Sequence, residues 1–341
     1  MTLSLPWNNF ESDPAAISSG TGAAPPDDRT GRCYLPDDSL KTAIKTALVV
    51  QRPLIISGPP GCGKSSLAPF VARNLGWRYY EFNIKRGTQA KDLFWHFDAL
   101  SRLRDAQAQE PSESLVVDRY LTPGVMWWAL NRKSADIQLE RKNNGIPRGP
   151  EKTMEPCHEI NKDRDAQRSV ILIDEIDKAD PHLPGDLLDV MGLYRFTIEE
   201  NGREIQRADL NVPKNLSDLR KAASPLVIFT TNGDRDMPPA FIRRCVTFEV
   251  VEPTEGNEYT KRFIEIAKLH FASEFGRVEH LATKLATKCI ELGNDRRHEQ
   301  QRRRPSVAEY IDALRACDSL NIDPDSDVWQ YVEQCTLRKM R

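Results

Sequence analysis

Long apolar runs are missing from this sequence. Nowhere do about 18 consecutive apolar residues occur, which is the length that a membrane-spanning helix requires. The first residues, MTLSLPWNNFESDP, also lack the basic segment and the apolar stretch of a secretory signal peptide. We therefore expect neither a signal peptide nor insertion into a membrane.

Paired cysteines and an excess of one charge are missing as well. The 7 cysteines are odd in number, scattered and never in a C-x-x-C pair, so they support neither a disulfide framework nor a zinc site. A reducing compartment suits such cysteines, and the predicted localisation is the cytoplasm. Lys plus Arg number 48 and Asp plus Glu 50, and the net charge of −2 predicts no global attraction to nucleic acid or to an anionic membrane.

The 341 residues suffice for about two domains of roughly 150 residues each. Residues 1–32 are rich in small and polar residues without periodicity, which predicts a flexible N-terminal arm. Up to residue 252 short apolar runs alternate with helical patterns, and from there on only helical patterns remain. The sequence thus predicts an α/β domain over 33–252 and a small all-helical domain over 253–341.

Five short segments predict the strands of the α/β domain. They are apolar or alternating, and helical patterns separate them, which predicts a mostly parallel sheet covered by helices on both faces. These segments are 53–57, 79–84, 169–174, 226–232 and 246–252.

Other segments carry weaker signals. Residues 88–107 have the period of one long amphipathic helix. Asn201-Gly202, between two alternating segments, predicts a β-hairpin over 195–206. Residues 131–168 are polar, mixed in charge and almost without apolar periodicity, which predicts a mobile surface insertion rather than a core element. For Trp127-Trp128 we favour core packing over an exposed binding surface.

The segment GPPGCGKS, between a predicted strand and a predicted helix, matches the phosphate-loop pattern G-x-x-x-x-G-K-[ST]. Glycines let backbone amides wrap a phosphate chain, and the N-terminus of the following helix favours negative charge. We predict that Lys64 reaches the β- and γ-phosphates and that the Ser65 hydroxyl binds Mg²⁺. The predicted nucleotide-binding residues are Gly58, Pro59, Pro60, Gly61, Cys62, Gly63, Lys64, Ser65 and Ser66.

Two acidic residues follow the apolar strand at 169–174. Asp174 is predicted to bind Mg²⁺ together with Ser65 and so to contact the nucleotide, and Glu175 to orient and polarise the attacking water. An acidic pair after a strand is also typical of a helix N-cap. The phosphate loop in the same chain favours the interpretation as metal and water ligands.

Four later residues have both a functional and an ordinary interpretation. Asn232 ends a predicted strand, where its amide would fix the water or touch the γ-phosphate, although turns often carry Asn at such a place. Arg243 and Arg244 precede the last predicted strand, and a surface arginine pair is usually solvated. Arg304 lies in RRRPS ahead of a helical segment, which is otherwise a basic surface cluster.

Taken in order, GPPGCGKS, ILIDEID, FTTN, AFIRR and RRRPS resemble the motifs of an AAA+ ATPase, and most of all of a MoxR-like protein, over about residues 36–320. The resemblance implies a five-stranded parallel α/β core, a helical lid and a homo-oligomeric ring, commonly a hexamer. It also implies Asn232 as sensor 1, Arg243 or Arg244 as the arginine finger, and Arg304 as the nucleotide-contacting sensor 2. MoxR-like proteins often work with a von Willebrand factor A domain protein, and relatives occur in bacterial conflict systems.

These features predict an ATPase that cleaves ATP to ADP and phosphate with Mg²⁺, at sites shared between ring subunits, and uses the cycle to remodel protein clients. One alternative is a slow ATP-dependent switch or scaffold that recruits an effector. Another is a DNA-directed motor, which the near-neutral charge disfavours although Arg296, Arg297 and Arg302 to Arg304 form a local basic cluster. The sequence leaves open which arginine is the finger and whether GTP substitutes for ATP.

Overall fold

The computed structural model of the chain describes residue 10 and residues 29–108, 115–145, 153–208, 224–251, 256–294 and 304–338. Its α-helices are α1 (Asp38–Val50), α2 (Lys64–Leu75), α3 (Ala90–Phe94), α4 (Ala99–Gln107), α5 (Val125–Leu130), α6 (Arg132–Gly145), α7 (His158–Asn161), α8 (Leu183–Leu193), α9 (Pro239–Ile242), α10 (Gly256–Phe271), α11 (Phe275–Asn294), α12 (Val307–Leu320) and α13 (Trp329–Thr336). Its strands are β1 (Leu54–Ser57), β2 (Trp77–Asn83), β3 (Trp95–Phe97), β4 (Leu121–Pro123), β5 (Asp165–Asp174), β6 (Arg195–Thr197), β7 (Glu204–Gln206), β8 (Leu226–Thr231) and β9 (Val246–Glu249).

Five strands form one parallel sheet in the order β2-β5-β8-β1-β9. In the ladders, Tyr79 of β2 lies opposite Val170 of β5, and Ile171 lies opposite Val227 of β8. All residues of β8 and the apolar run of β5 are buried, as expected when helices cover both faces of a parallel sheet. The predicted five-stranded α/β core is confirmed, and each of its predicted strands is present.

Local signals mark the start of α1 and the end of α2. The Asp37 carboxylate accepts the Leu40 N–H at 2.7 Å, so Asp37 caps the start of α1. Gly76 has a φ of +66°, the left-handed conformation in which glycine commonly ends a helix, and it ends α2.

Residues 88–107 do not form the single long helix that their period predicts. They form α3, the short strand β3 and then α4. Strand β3 pairs antiparallel with β4, and the Asp98 carboxylate starts α4 by accepting the Ser101 N–H at 2.8 Å. Aromatic side chains favour a pleated ladder. Pairing of β3 with β4 and the cap at Asp98 together favour this arrangement over the single helix that the apolar period predicts.

The described residues of the segment 131–168, which we predicted as a mobile surface insertion, are mostly regular secondary structure, and the mobility of the segment stays a prediction. They contain α6, α7 and the first part of β5. On α6 the side chain of Gln138 is fully buried, and its amide donates to the carbonyls of Asp118 and Leu121 at 2.6 and 3.2 Å. Because a buried polar group with partners costs little, a polar helix can bury Gln138 while most of its other side chains stay half-buried or exposed. Residues 146–152 of this segment lie outside the described residues.

Strands β6 and β7 form the antiparallel hairpin predicted at 195–206. The Phe196 ring of this hairpin stacks on Trp95 with 5.7 Å between ring centroids. Trp127 and Trp128 are 0% and 2% exposed in the same hydrophobic core, so their predicted core packing is confirmed.

The chain divides into two compact units. The sheet unit comprises residues 42–56 and 75–248, and the helical unit comprises residues 1–41, 57–74 and 249–341. In the helical unit α10 to α13 share one apolar core, in which the Phe263 ring lies 4.3 Å from Tyr259 and 4.6 Å from Tyr310. The predicted C-terminal helical region is confirmed. The predicted domain boundaries at 32 and 252 stay a prediction.

Part of the predicted N-terminal arm packs on α2. Residues 1–9 and 11–28 lie outside the described residues, but Phe10 is buried with its ring 6.3 Å from Phe70. A Cβ at Gly31 would lie 2.2 Å from the Pro69 carbonyl oxygen, so only glycine fits there. No helix in the described part of the chain combines the length and the apolar character needed to cross a membrane.

Candidate nucleotide site

The phosphate loop follows β1 and leads into the first turn of α2, within the helical unit. Gly61 and Gly63 have φ angles of +79° and +93°, which residues with a side chain rarely adopt. Backbone turns of this kind direct consecutive N–H groups toward a bound anion. The structure places all the predicted loop residues, 58–66, in this turn and at the adjoining helix N-terminus, which fits a phosphate chain.

The ammonium of Lys64 lies over this loop. Its side chain is buried, and Nζ donates to the carbonyl oxygens of Gly58 and Pro59, both at 2.8 Å. The loop backbone therefore holds the positive charge in place, where a phosphate bound in the loop would meet it.

The N-terminus of α12 is seated on the phosphate loop, again within the helical unit. A Cβ at Gly61 would lie 2.4 Å from the Ser306 hydroxyl, and the Ala308 N–H donates to the Gly61 carbonyl at 3.3 Å. Ser306 and Glu309 form a capping box that starts α12. Arg304 precedes this contact by two residues, and its guanidinium lies 5.9 Å from the centre of the Tyr259 ring.

In the sheet unit the two acidic residues at the end of β5 share one hydroxyl. Thr230 of β8 donates from its hydroxyl to the Asp174 carboxylate, and the same oxygen accepts the Glu175 N–H at 3.0 Å. A neutral hydroxyl thus positions both acidic residues.

Glu175 has a left-handed backbone, with φ of +60° and ψ of +49°. For a residue with a side chain this conformation costs on the order of 1–2 kcal/mol, and such strain clusters at functional sites. Its carboxylate pairs with Lys178 at 2.6 Å, and this hydrogen bond raises the pKa of the Lys178 ammonium.

A third acid, Asp177, organises the end of β8. Its side chain is buried, and Oδ2 accepts the backbone N–H groups of Asn232 and Asp234, each at 3.1 Å. The Asn232 backbone is therefore tied to the same turn that carries Glu175.

Arg243 and Arg244 follow α9 at the surface of the sheet unit. The Arg52 guanidinium donates to the Arg243 carbonyl at 3.2 Å. The side chains of Arg243 and Arg244 are both exposed. Such exposure suits cations that are offered to a neighbouring molecule.

Residues 53–245, more than half of the chain, match the family model of the AAA domain, dynein-related subfamily. The chain belongs to this AAA family. AAA domains in general bind and hydrolyse nucleotides, and AAA+ proteins commonly assemble into rings. The matched range contains the phosphate loop, the β5 acids, Asn232 and both candidate finger arginines, whereas Arg304 lies beyond it.

Three solved structures similar to this AAA protein are of RuvB from Thermotoga maritima. A threonine-to-valine variant is 13% identical with a TM-score of 0.37, covering 87% of this chain and 67% of that chain. A structure described as the RuvB Holliday junction branch migration motor is 12% identical with a TM-score of 0.37 and the same coverage, 87% and 67%. An alanine-to-serine mutant is 14% identical with a TM-score of 0.39, covering 89% and 70%. No curated protein matches the sequence.

Sequence reasoning missed four residues that position the candidate site. Thr230 stands in FTTN beside the asparagine that drew attention, and Asp177 is the third acid of ILIDEID. Ser306 with Glu309 has the S-x-x-E spacing of a capping box, so the start of α12 was visible in the sequence. The contact of that helix with Gly61 was not, because it joins segments far apart in the chain.

Proposed function

We propose that this AAA protein is a MoxR-like ATPase that hydrolyses ATP with Mg²⁺ at sites shared between subunits of a ring and remodels protein clients or complexes. The observation that carries the proposal is the pair Asp174 and Glu175, fixed around the Thr230 hydroxyl at the end of β5. Strand β5 belongs to the same parallel sheet as β1, which leads into the phosphate loop. A phosphate loop alone suits any nucleotide binder, whereas a metal-binding acid followed by a second acid suits hydrolysis.

The residues present suit ATP and Mg²⁺. The glycine conformations at Gly61 and Gly63 and the ammonium of Lys64 fit a polyphosphate. The Ser65 hydroxyl and the Asp174 carboxylate are oxygen ligands of the type that Mg²⁺ prefers. When bound, Mg²⁺ would neutralise part of the charge on the phosphates.

In this proposal Glu175 orients and polarises the attacking water, and Asn232 holds the water or the γ-phosphate as sensor 1. Lys64 neutralises negative charge that develops on the γ-phosphate. Thr230 and Asp177 position these groups through the hydrogen bonds described above.

Lys64 and Mg²⁺ neutralise only part of the negative charge that develops on the γ-phosphate, so the proposal includes a further cation. Arg243 or Arg244 of a neighbouring subunit would supply it as an arginine finger, a contribution worth roughly 10³–10⁵ in rate for such residues. Full turnover then requires a ring, for which we propose six copies. Arg304 acts as sensor 2 for the nucleotide of its own chain, and the ring passes the conformational change to a client, with a von Willebrand factor A domain protein or another effector as partner.

The variant Glu175→Gln tests the central role. We expect it to bind ATP as the wild type does, because the side chain keeps its shape, and to release phosphate roughly 10²–10⁴ times more slowly. Steady-state phosphate release and titration with a fluorescent ATP analogue measure the two properties. Glu159→Gln, on an exposed acid of the same unit, is the matched control and should keep the wild-type rate. A wild-type rate in Glu175→Gln would refute the role.

Mixing experiments test the shared site. Arg243→Ala and Arg244→Ala are each mixed with Glu175→Gln, and the finger variant is the one that is inactive alone and regains activity in the mixture. Activity returns because a Glu175→Gln subunit still supplies its arginine to the site of an adjacent Arg→Ala subunit, and that site has an unchanged Glu175. No recovery at any ratio contradicts sharing. Mass photometry with ATP, with ADP and without nucleotide measures the ring and its dependence on nucleotide.

Phosphate release measured with and without a protein partner distinguishes remodelling from a switch. Stimulation of phosphate release by a protein client supports remodelling, whereas nucleotide-dependent effector binding without stimulation supports a switch. A salt-dependent mobility shift with DNA would instead support a DNA-directed motor. Of the basic cluster on which that alternative rests, Arg296, Arg297, Arg302 and Arg303 lie outside the described residues.

A further inference from the structure

A cavity of about 440 Å³ opens in the sheet unit at the amino end of β5. Its volume lies in the range of small-molecule sites, roughly 300–1,000 Å³. Its cationic lining residues are Arg78, Arg132, Lys133, Arg168 and Arg207. An apolar side is formed by Trp128, Ala129 and Leu130.

Carboxylates neutralise only part of this positive charge. Glu155 accepts from the Arg78 guanidinium at 2.7 and 3.0 Å and lies 3.6 Å from Arg132, which also pairs with Asp136 at 3.2 Å. Lys133 is exposed at the rim and makes no ion pair within the described ranges. The cavity therefore favours an anion.

Buried hydrogen-bond donors in the lining lack acceptors. Among the described residues, no partner is present for the hydroxyl of Ser169, which is 3% exposed, or for the Nε atoms of Arg78 and Arg132. An unsatisfied buried polar group destabilises a fold, so such groups are rare in proteins without a specific reason. All three atoms belong to residues that line the same cavity.

The cavity is separate from the phosphate-binding and acidic residues described above. Ser169 lies in the middle of β5 and Asp174 at its carboxyl end, and the five residues of extended chain between these positions span roughly 16 Å. Just before Ser169 the register of β5 against β2 shifts, so that the chain between Asp165 and Ser169 bulges out of the ladder. Bulges commonly redirect side chains beside binding sites, and Arg168 of this bulge lines the cavity.

We propose that this cavity binds a small phosphate-bearing metabolite. The phosphate supplies the acceptors that Ser169 and the two arginines lack, in the charge-assisted geometry that guanidinium groups favour. The organic part of the ligand lies against Trp128, Ala129 and Leu130. The volume suits a ligand larger than the phosphate ion alone.

Isothermal titration calorimetry in low-salt, phosphate-free buffer tests the proposal with inorganic phosphate and phenyl phosphate as probes. The protein carries Lys64→Ala throughout, which weakens binding in the phosphate loop. We expect both probes to bind, and phenyl phosphate to bind several times more tightly. Ser169→Ala should weaken both affinities about tenfold, since a hydrogen bond to a charged group is lost. Lys133→Glu should weaken them about fivefold, and less at high salt.

Lys91→Glu is the matched control, because it makes the same charge change at another exposed lysine of the sheet unit, and it should leave both affinities unchanged. Thermal unfolding checks that each variant is folded, and Lys133→Glu keeps the test decisive if Ser169→Ala unfolds. The proposal is overturned by the absence of phosphate binding, by affinities that neither variant changes, or by phenyl phosphate binding no more tightly than phosphate.

Discussion

The carboxyl end of β5 carries acidic side chains, whereas basic side chains gather near its amino end. At the carboxyl end, Asp174 and Glu175 share the Thr230 hydroxyl, and Glu175 also pairs with Lys178 at the surface. At the amino end, Arg78 is held by the buried carboxylate of Glu155, which also accepts the Tyr80 hydroxyl at 2.7 Å. Burial raises the pKa of Tyr80, with a smaller contribution from the Glu155 charge, so this hydroxyl remains a donor.

The two ends differ in the kind of group that holds their charged side chains. At the carboxyl end the neutral Thr230 hydroxyl orients both acids, which in the proposed function would bind a metal ion and a water molecule. Ionic support at the other end neutralises part of a cationic cluster, and it is costly to disturb because the charges are buried. We therefore expect mutations at the amino end to change stability most and mutations at the carboxyl end to change turnover.

Glu155→Gln should have the largest effect on stability. It leaves the buried guanidinium of Arg78 without a counter-charge, and removing one partner of a buried pair typically costs 3–5 kcal/mol. Because glutamine keeps the shape and one acceptor, we expect a loss of about 3 kcal/mol. Urea unfolding followed by tryptophan fluorescence measures it.

The control for this variant is Glu159→Gln, whose side chain pairs with Lys162 at the surface. Its unfolding midpoint should not move, because solvent screens exposed pairs. Equal shifts in the two variants would mean that the ion pair of Glu155 contributes no more than a surface pair, and the contrast between the ends of β5 would fail.

Thr230→Val should have an intermediate effect, and on turnover more than on stability. Valine keeps the branched shape in β8 but removes the hydroxyl that Asp174 and Glu175 share. We expect phosphate release to slow about tenfold and to require more Mg²⁺, since one hydrogen bond to a charged group is lost. The rate as a function of Mg²⁺ concentration measures both.

Thr231→Val provides the comparison, since this buried neighbour accepts only the Gly233 N–H at 3.0 Å among the contacts described. Its Mg²⁺ dependence should match that of the wild type. If both variants shift the Mg²⁺ dependence equally, the Thr230 hydroxyl has no special role at the acids.

Lys178→Met should have the smallest effect. The ion pair with Glu175 is largely exposed, so its loss should change stability by less than about 0.5 kcal/mol. The pKa of Lys178 is raised, so the small stabilisation is present at neutral pH and is lost as the pH rises above the ordinary value of 10.5. Unfolding midpoints of both proteins at pH 7 and pH 11 measure the difference, and a gap that widened at pH 11 would contradict the assignment.

Local patterns allowed the fold and the outline of the candidate site to be predicted from the sequence. The phosphate loop, the β5 acids and the alternating strands are each contiguous, so a single stretch of chain contains the whole signal. Position along the chain also indicated Asn232, because the ends of neighbouring parallel strands meet at one edge of a sheet.

Long-range contacts explain what could not be predicted. Residues 88–107 have a helical period, but part of the segment forms β3 because it pairs with β4, and the local pattern does not reveal this partner. The polar helix α6 is anchored at Gln138, whose buried amide donates to two backbone carbonyls outside the helix. The cationic cavity collects arginines from four separate segments, none of which carries a motif.

The fit between Gly61 and the start of α12 has a mechanical consequence. A side chain at position 61 would collide with the Ser306 hydroxyl, so loop and helix touch without a cushion. If the loop holds a polyphosphate as proposed, a displacement of the loop would reach the C-terminal helices through this direct contact, and a force on those helices would reach the loop. Nucleotide state and helix position would then be coupled without an intervening segment.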